Sequence, residues 1–194
     1  MLGYLRETHE KAVKSGIDPL TGLNRNGLDE YLKVIFPDVN DWVVDKQLGN
    51  INGITYRIRP DYRSEALKLV IEFNGLPHYQ KPDVIISDYK KYEIYKELGY
   101  KVVTIPYFIQ LTAEVIYDLF NVQISSELVF PEGYPSLSIL NKNTPAFLCD
   151  LGIKRMAYEL NQFQSQCKTN IEQLVKEGND YLTGLSLIKK YIKE

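Results

Sequence analysis

The chain has 194 residues, 44% of them hydrophobic and 25% charged, with 23 Lys+Arg against 25 Asp+Glu. This composition supports a packed core of one domain, with room for a small addition, and excludes disordered, collagenous and coiled-coil classes. No apolar run approaches the ~18 residues needed to span a bilayer, so no membrane partner is expected. The opening Met1-Leu2-Gly3-Tyr4-Leu5-Arg6 lacks an apolar signal core. Cys149 and Cys167 are too few and too far apart for a metal knuckle or a disulfide framework. Together these features predict reduced thiols in a cytoplasmic protein. A near-neutral charge balance does not advertise nucleic-acid binding, although residues 57–101 hold nine Lys+Arg against seven Asp+Glu.

Residues 1–25 read as an N-terminal extension with many turn formers (Gly16, Asp18-Pro19, Gly22, Asn24). Leu28, Tyr31, Leu32 and Ile35 recur at i, i+3, i+4 and i+7, which predicts one face of a helix, with Asn26 as its cap and Pro37 as its stop. Trp42 to Leu48 reads as a first strand, with Gly49-Asn50 and Asn52-Gly53 as a hairpin turn. Ile54 to Arg59 alternates as a second strand, and Leu67 to Phe73 is a third, more buried one. Asp83 to Leu98 predicts a helix closed by Gly99, Lys101 to Pro106 a fourth strand, and Leu111, Val115, Ile116, Leu119 and Phe120 another helix.

Residues 26–120 thus predict an α/β core: helix, three-strand meander, helix, strand, around a mixed sheet. Residues 121–144 read as a connecting segment with Pro131, Gly133 and Pro135, and 145–194 as a helical C-terminal appendage. In that last region Thr169 and Glu172 have the spacing of a capping box.

Several familiar chemistries fail at the residue level. His9-Glu10 opens like a zinc-protease motif, but Val13 stands where the second histidine is needed. Gly22 to Gly27 has phosphate-loop spacing, but Leu28-Asp29 follows instead of Lys and Ser or Thr. With only His9, His78 and two distant cysteines, soft ligands are too scarce for zinc.

One constellation survives. Pro60-Asp61 follows the second strand, and Glu72 lies near the end of the third, with Asn74 on the same strand face. Pairing these strands would set Asp61 beside Glu72, two carboxylates that repel unless a proton or cation lies between them. Hard oxygens at an open site suit Mg²⁺, with Mn²⁺ as its substitute. The plain alternative is that Asp61 caps a turn and Glu72 is a solvated strand-end residue.

Arg59-Pro60-Asp61-Tyr62, then Leu69-Val70-Ile71-Glu72-Phe73-Asn74-Gly75-Leu76-Pro77-His78-Tyr79, then Asp88-Tyr89-Lys90-Lys91 and Leu98-Gly99-Tyr100-Lys101-Val102-Val103 stand in that order. The combination resembles the PD-(D/E)xK nuclease superfamily, and is most similar to its very-short-patch-repair-endonuclease-like and restriction-endonuclease-like branch, over about residues 26–108. The resemblance implies a restriction-endonuclease-like core and a Mg²⁺-dependent DNA endonuclease. It further implies Asp61 and Glu72 as metal carboxylates, Glu30 as a second acidic position on the preceding helix, and His78 as a phosphate or proton-transfer residue. Where the superfamily usually has Lys, this chain has Asn74, a neutral group that cannot supply charge. Lys90 or Lys91 is the candidate substitute, with Lys81 next, and Lys91 is preferred.

DNA contacts are expected from Lys81, Lys90, Lys91 and Lys96, where basic groups interleave with Tyr92 and Tyr95; the tyrosines can equally pack on the sheet. The C-terminal helices are open to target recognition, homodimer formation or buttressing of the core. Because of Asn74, a non-cleaving DNA-binding or assembly subunit is the alternative function, and a hydrolase of another phosphate ester the third.

Overall fold

The computed structural model describes residues 28–124, 133 and 135–193. The expected N-terminal extension, the cap at Asn26 and most of the tip of the connecting segment lie outside these. The protein is mixed α/β, with a four-stranded mixed sheet and several helices.

The first helix among the described residues, α1 (Leu28–Ile35), buries Leu28, Tyr31, Leu32 and Ile35 as one stripe. Strand β1 (Val43–Val44) follows, far shorter than the expected Trp42–Leu48. Asp45 takes a left-handed backbone (φ 47°), a conformation that L-residues hold singly and that cannot continue a strand. The chain therefore leaves the main sheet. It builds a separate ribbon from β2 (Gly49–Ile51) and β3 (Ile54–Tyr56), joined at Asn52-Gly53. Both turn residues have positive φ (52° and 85°), as the two-residue turn favoured by Asn-Gly requires. Gly49 and Asn50, expected in the turn, lie in the strand instead.

The strand that pairs with the third expected strand is not Ile54–Arg59 but β4 (Tyr62–Ser64), which lies between the two expected strands. Pro60 has no N–H to offer a ladder, so the ribbon stops before it and the new strand starts after it. Asp41 fixes the following turn: its carboxylate accepts bonds from Ser64 Oγ (2.6 Å) and from the backbone N–H of Glu65 (2.8 Å) and Ala66 (2.9 Å). These bonds, Ser64's first, hold its carboxyl below the usual range.

Strand β5 (Leu69–Asn74) is central, antiparallel to β4 and parallel to β6 (Lys101–Pro106), giving the order β1-β4-β5-β6. Leu69, Ile71 and Phe73 enter the main core, while Val70 joins Leu48, Tyr95 and Tyr100 on the other face. Between β5 and β6 run a single-turn helix, α2 (Pro77–Gln80), and the long α3 (Pro82–Glu97). Gly99 (φ 83°) ends the crossover. Helix α4 (Ala113–Phe120) begins on Thr112, whose hydroxyl accepts the N–H of Val115.

Among the described residues four further α-helices follow: α5 (Asp150–Leu160), α6 (Gln164–Glu177), α7 (Asp180–Thr183) and α8 (Leu185–Ile188). Thr169 and Glu172 fall inside α6, so no capping box forms there; the helix starts five residues earlier. Ile153, Met156, Ala157, Leu160 and Phe163 share one buried cluster with Leu28, Ile71 and Phe73. The C-terminal helices thus complete the core. Gly152 marks the tightest point: a Cβ there would stand 1.7 Å from the Tyr79 carbonyl oxygen, so only glycine lets α5 sit on α2. Cys149 and Cys167 are both free thiols. Among the described residues no helix is long and apolar enough to cross a membrane.

Candidate active site

The β4–β5 ladder pairs Tyr62 with Ile71 and Arg63 with Val70. Continued by one residue, the same register sets Asp61 opposite Glu72, and residues opposite one another in an antiparallel pair share a face. Asp61 is buried, and its Oδ2 accepts the backbone N–H of Phe73 at 2.7 Å. That bond anchors the carboxylate to the strand carrying Glu72. The turn-capping alternative is thereby half met, since Asp61 does bind backbone, but of the neighbouring strand.

Glu72 is not a solvated strand-end residue. Its Oε1 accepts the hydroxyl of Tyr95 at 2.8 Å, and Tyr95 is itself fully buried. Burial, followed by the charges of Asp61 and Asp88, pushes the Glu72 carboxyl up to about 7, against the Tyr95 hydrogen bond and the charge of Lys91. The carboxyl therefore changes charge near neutrality. Burial is the main cause, and the neighbouring Asp61 charge adds to it.

Helix α3 supplies the surroundings. Asp88, Lys91 and Tyr95 recur at i, i+3 and i+7 and so share one face. Asp88 Oδ2 lies 2.7 Å from His78 Nδ1 and accepts from Arg155 at 2.8 Å. Burial opposes its ionisation, but the bonds from His78 and Arg155 outweigh it and hold the carboxyl below its usual range. Lys91 Nζ stands 3.9 Å from Asp88 Oδ1. Arg155, on α5, is buried; it also donates to the His78 carbonyl (3.2 Å) and to Glu159 (3.0 Å), which in turn receives the Tyr79 hydroxyl. Burial pushes the Glu159 carboxyl up, against the charge of Arg155 and the bond from Tyr79.

A cleft of about 480 Å³ opens on this network, with Glu72, Asn74, Asp88, Lys91 and Arg155 among its walls. Asp61 and His78 do not line it: Asp61 is buried against the Phe73 N–H, and the His78 ring is paired with Asp88. Asn74 is buried at the end of β5. Lys90, Lys81 and Lys96 are exposed and outside the cleft, and Lys96 lies over the ring of Tyr92 (5.3 Å) and near Glu93 (3.9 Å). Glu30 lies on α1, but its side chain is outside the described residues. No group of three or more His, Cys, Asp or Glu side chains able to hold a metal ion is found among the described residues.

The sequence reading therefore located Asp61, Glu72, Asn74 and Lys91 in one neighbourhood. It missed Asp88, Arg155 and Glu159, and treated Tyr95 only as a DNA-contact or packing residue. The i, i+3, i+7 spacing on α3 could have pointed to Asp88 and Tyr95. Nothing local marks Arg155, which reaches the site from 67 residues beyond Asp88. Comparison with protein-family models, curated proteins and solved structures returned no match.

Proposed function

We propose that this chain is a Mg²⁺-dependent DNA endonuclease on a restriction-endonuclease-like core of the PD-(D/E)xK type, working in the cytoplasm. The observation that carries the reading is the β4–β5 register, which sets Asp61 against Glu72 with Asp61 tied to the Phe73 N–H. Two hard carboxylates fit Mg²⁺, which keeps several waters and commonly takes only one or two protein carboxylates beside substrate phosphates. Mn²⁺ suits the same donors. When bound, the ion polarises the phosphodiester and lowers the pKa of a coordinated water.

The chain's own groups supply the rest. Tyr95 holds one oxygen of Glu72 and leaves the carboxylate in a fixed orientation. Lys91 brings the cationic charge that Asn74 lacks, on the evidence of its effect on Glu72 and its place in the cleft wall. Asn74 offers an amide to a water or phosphate oxygen. His78 acts through Asp88, and Lys81, Lys90 and Lys96 are left as backbone contacts for DNA outside the cleft.

The test uses circular substrates, a supercoiled plasmid and a circular single strand, so that internal cleavage is not confused with end trimming. Cleavage is expected with Mg²⁺ and not with EDTA, and not in Asp61→Asn or Glu72→Gln. Cleavage undiminished in both variants overturns the reading. Binding without cleavage in either metal selects the non-cleaving subunit, the reading that Asn74 favours.

A further inference from the structure

We infer that the cleft receives an unpaired nucleic-acid strand, whose bases stack on Tyr89, Tyr92 and Tyr158, and not an intact duplex. The inference rests on the nuclease reading and names its substrate class. Besides the buried Tyr95, three tyrosines line the same cleft as Glu72 and are exposed: Tyr89 at 58%, Tyr92 at 39% and Tyr158 at 68%. Tyr89 and Tyr92 sit one turn apart on α3, while Tyr158 comes from α5 across the opening.

Two of the rings are already oriented. The Arg155 guanidinium lies 5.8 Å from the centre of Tyr89, and Lys96 Nζ lies 5.3 Å from the centre of Tyr92. Rings that carry a cation on one side and stay exposed are suited to stacking on a flat ligand, because every base has a π-face and binding then tolerates any sequence. Lys91 and Lys101 stand in the same walls, placed for a phosphate backbone. Asp88 and Glu159 share Arg155, and Glu72, Glu93 and Asp118 also line the cleft, so the phosphate contacts fall to Lys91 and Lys101.

Size argues in the same direction. Glu72 lies half-buried at a cleft of about 480 Å³ walled by α3, β6 and α5. That space is a local cleft, whereas a duplex presents its phosphates on a continuous cylinder whose major groove alone is about 12 Å wide. A strand brings a phosphate to Glu72 in this cleft most easily with its bases unstacked and turned aside. The exposed rings give those bases a place to go.

The experiment is fluorescence anisotropy on the full chain carrying Glu72→Gln, with labelled single-stranded DNA, single-stranded RNA and duplex DNA of one sequence. At least one of the single strands is expected to bind tenfold or more tighter than the duplex, and the DNA and RNA arms tell which sugar is preferred. Tyr158→Ala is expected to weaken that binding about tenfold, with Tyr158→Phe restoring it. Tyr181→Ala, exposed at 88% but outside the cleft, serves as the control and should change nothing. Duplex binding as tight as single-strand binding overturns the inference, as does a Tyr158→Ala effect no larger than that of Tyr181→Ala. The nuclease reading fails separately, through absence of Mg²⁺-dependent cleavage of both circular substrates. Tyrosine-dependent strand binding without cleavage would sink that reading alone, and cleavage with tyrosine-independent duplex binding would sink this one alone.

Discussion

Tyr95 donates its hydroxyl to Glu72 at 2.8 Å, joining the last turns of α3 to the central strand β5. The bond favours the ionised carboxylate of a group that burial pushes up to about 7. A carboxylate must lose its proton before it can bind a cation, so Mg²⁺ affinity should rise as pH increases through about 7. Tyr95→Phe keeps the ring and removes the bond. One lost bond to a charged group is worth about 1.5–3 kcal/mol, or roughly one to two pH units. The midpoint of the affinity profile, measured by calorimetry from pH 6 to 9, should move upward by about that amount. An unmoved midpoint would mean that Tyr95 only fills space.

Lys91 and Lys90 are adjacent but not equivalent. Lys91 lines the cleft and lowers the Glu72 carboxyl, while Lys90 is exposed and outside it. Removing one preorganised electrostatic stabiliser costs on the order of 10²–10³ in rate. Lys91→Ala should show a loss of that size in single-turnover cleavage, and Lys90→Ala should stay within about threefold of wild type. Equal effects would remove Lys91 from its assigned role.

The acid pair was legible in the sequence because register propagates with period two along a strand, so Asp61 and Glu72 needed only the right pairing to meet. The strand supplying Asp61 was misplaced. An aspartate at positive φ and a proline without an N–H break the meander at Asp45 and Pro60, and the alternation of Ile54 to Arg59 looked like a continuous strand. Helix α5 was readable from its local apolar stripe, and α3 from its long run closed by Gly99. Which charged side chain of α5 would reach Asp88 was not readable, because that contact depends on the angle at which α5 crosses α2. Gly152 sets that approach, and a glycine within a helical stripe reads from sequence only as a weak residue.

Arg155 holds two carboxylates that are poorly solvated. Arg155→Met would leave Glu159 without its cation and Asp88 with only His78 and Lys91, and breaking a buried pair costs about 3–5 kcal/mol. Asp88 has its carboxyl below the usual range, so its contribution is present above the unfolded value and is lost as pH falls through the lower folded one. Without Arg155 both acids take up protons more readily, so the penalty should shrink on acidification. Urea denaturation at pH 7.5 and pH 4.5 should show a large loss at the first and a smaller one at the second. A pH-independent loss would indicate packing alone.

Gly152→Ala should be severe for so small a change. Its methyl group would overlap the Tyr79 carbonyl, a backbone atom that cannot turn aside. Overpacking of this kind costs about 1–3 kcal/mol and moves the element that carries it. The variant should melt several degrees lower, and it should cleave more slowly even at temperatures where it is folded, because α5 carries Arg155 and Tyr158. Wild-type melting and rate would show that α5 can settle on α2 without this close approach.

The most direct measurement of the central claim is calorimetric titration of Mg²⁺ at pH 8, without nucleic acid, into the wild-type chain, Asp61→Asn and Glu72→Gln. Both variants keep an acceptor oxygen where the carboxylate stood, for the Phe73 N–H and the Tyr95 hydroxyl respectively. One binding event is predicted in the wild type, with its affinity reduced at least tenfold in each variant. Equal heats in all three proteins, or no binding in the wild type even with Mn²⁺, would contradict the account.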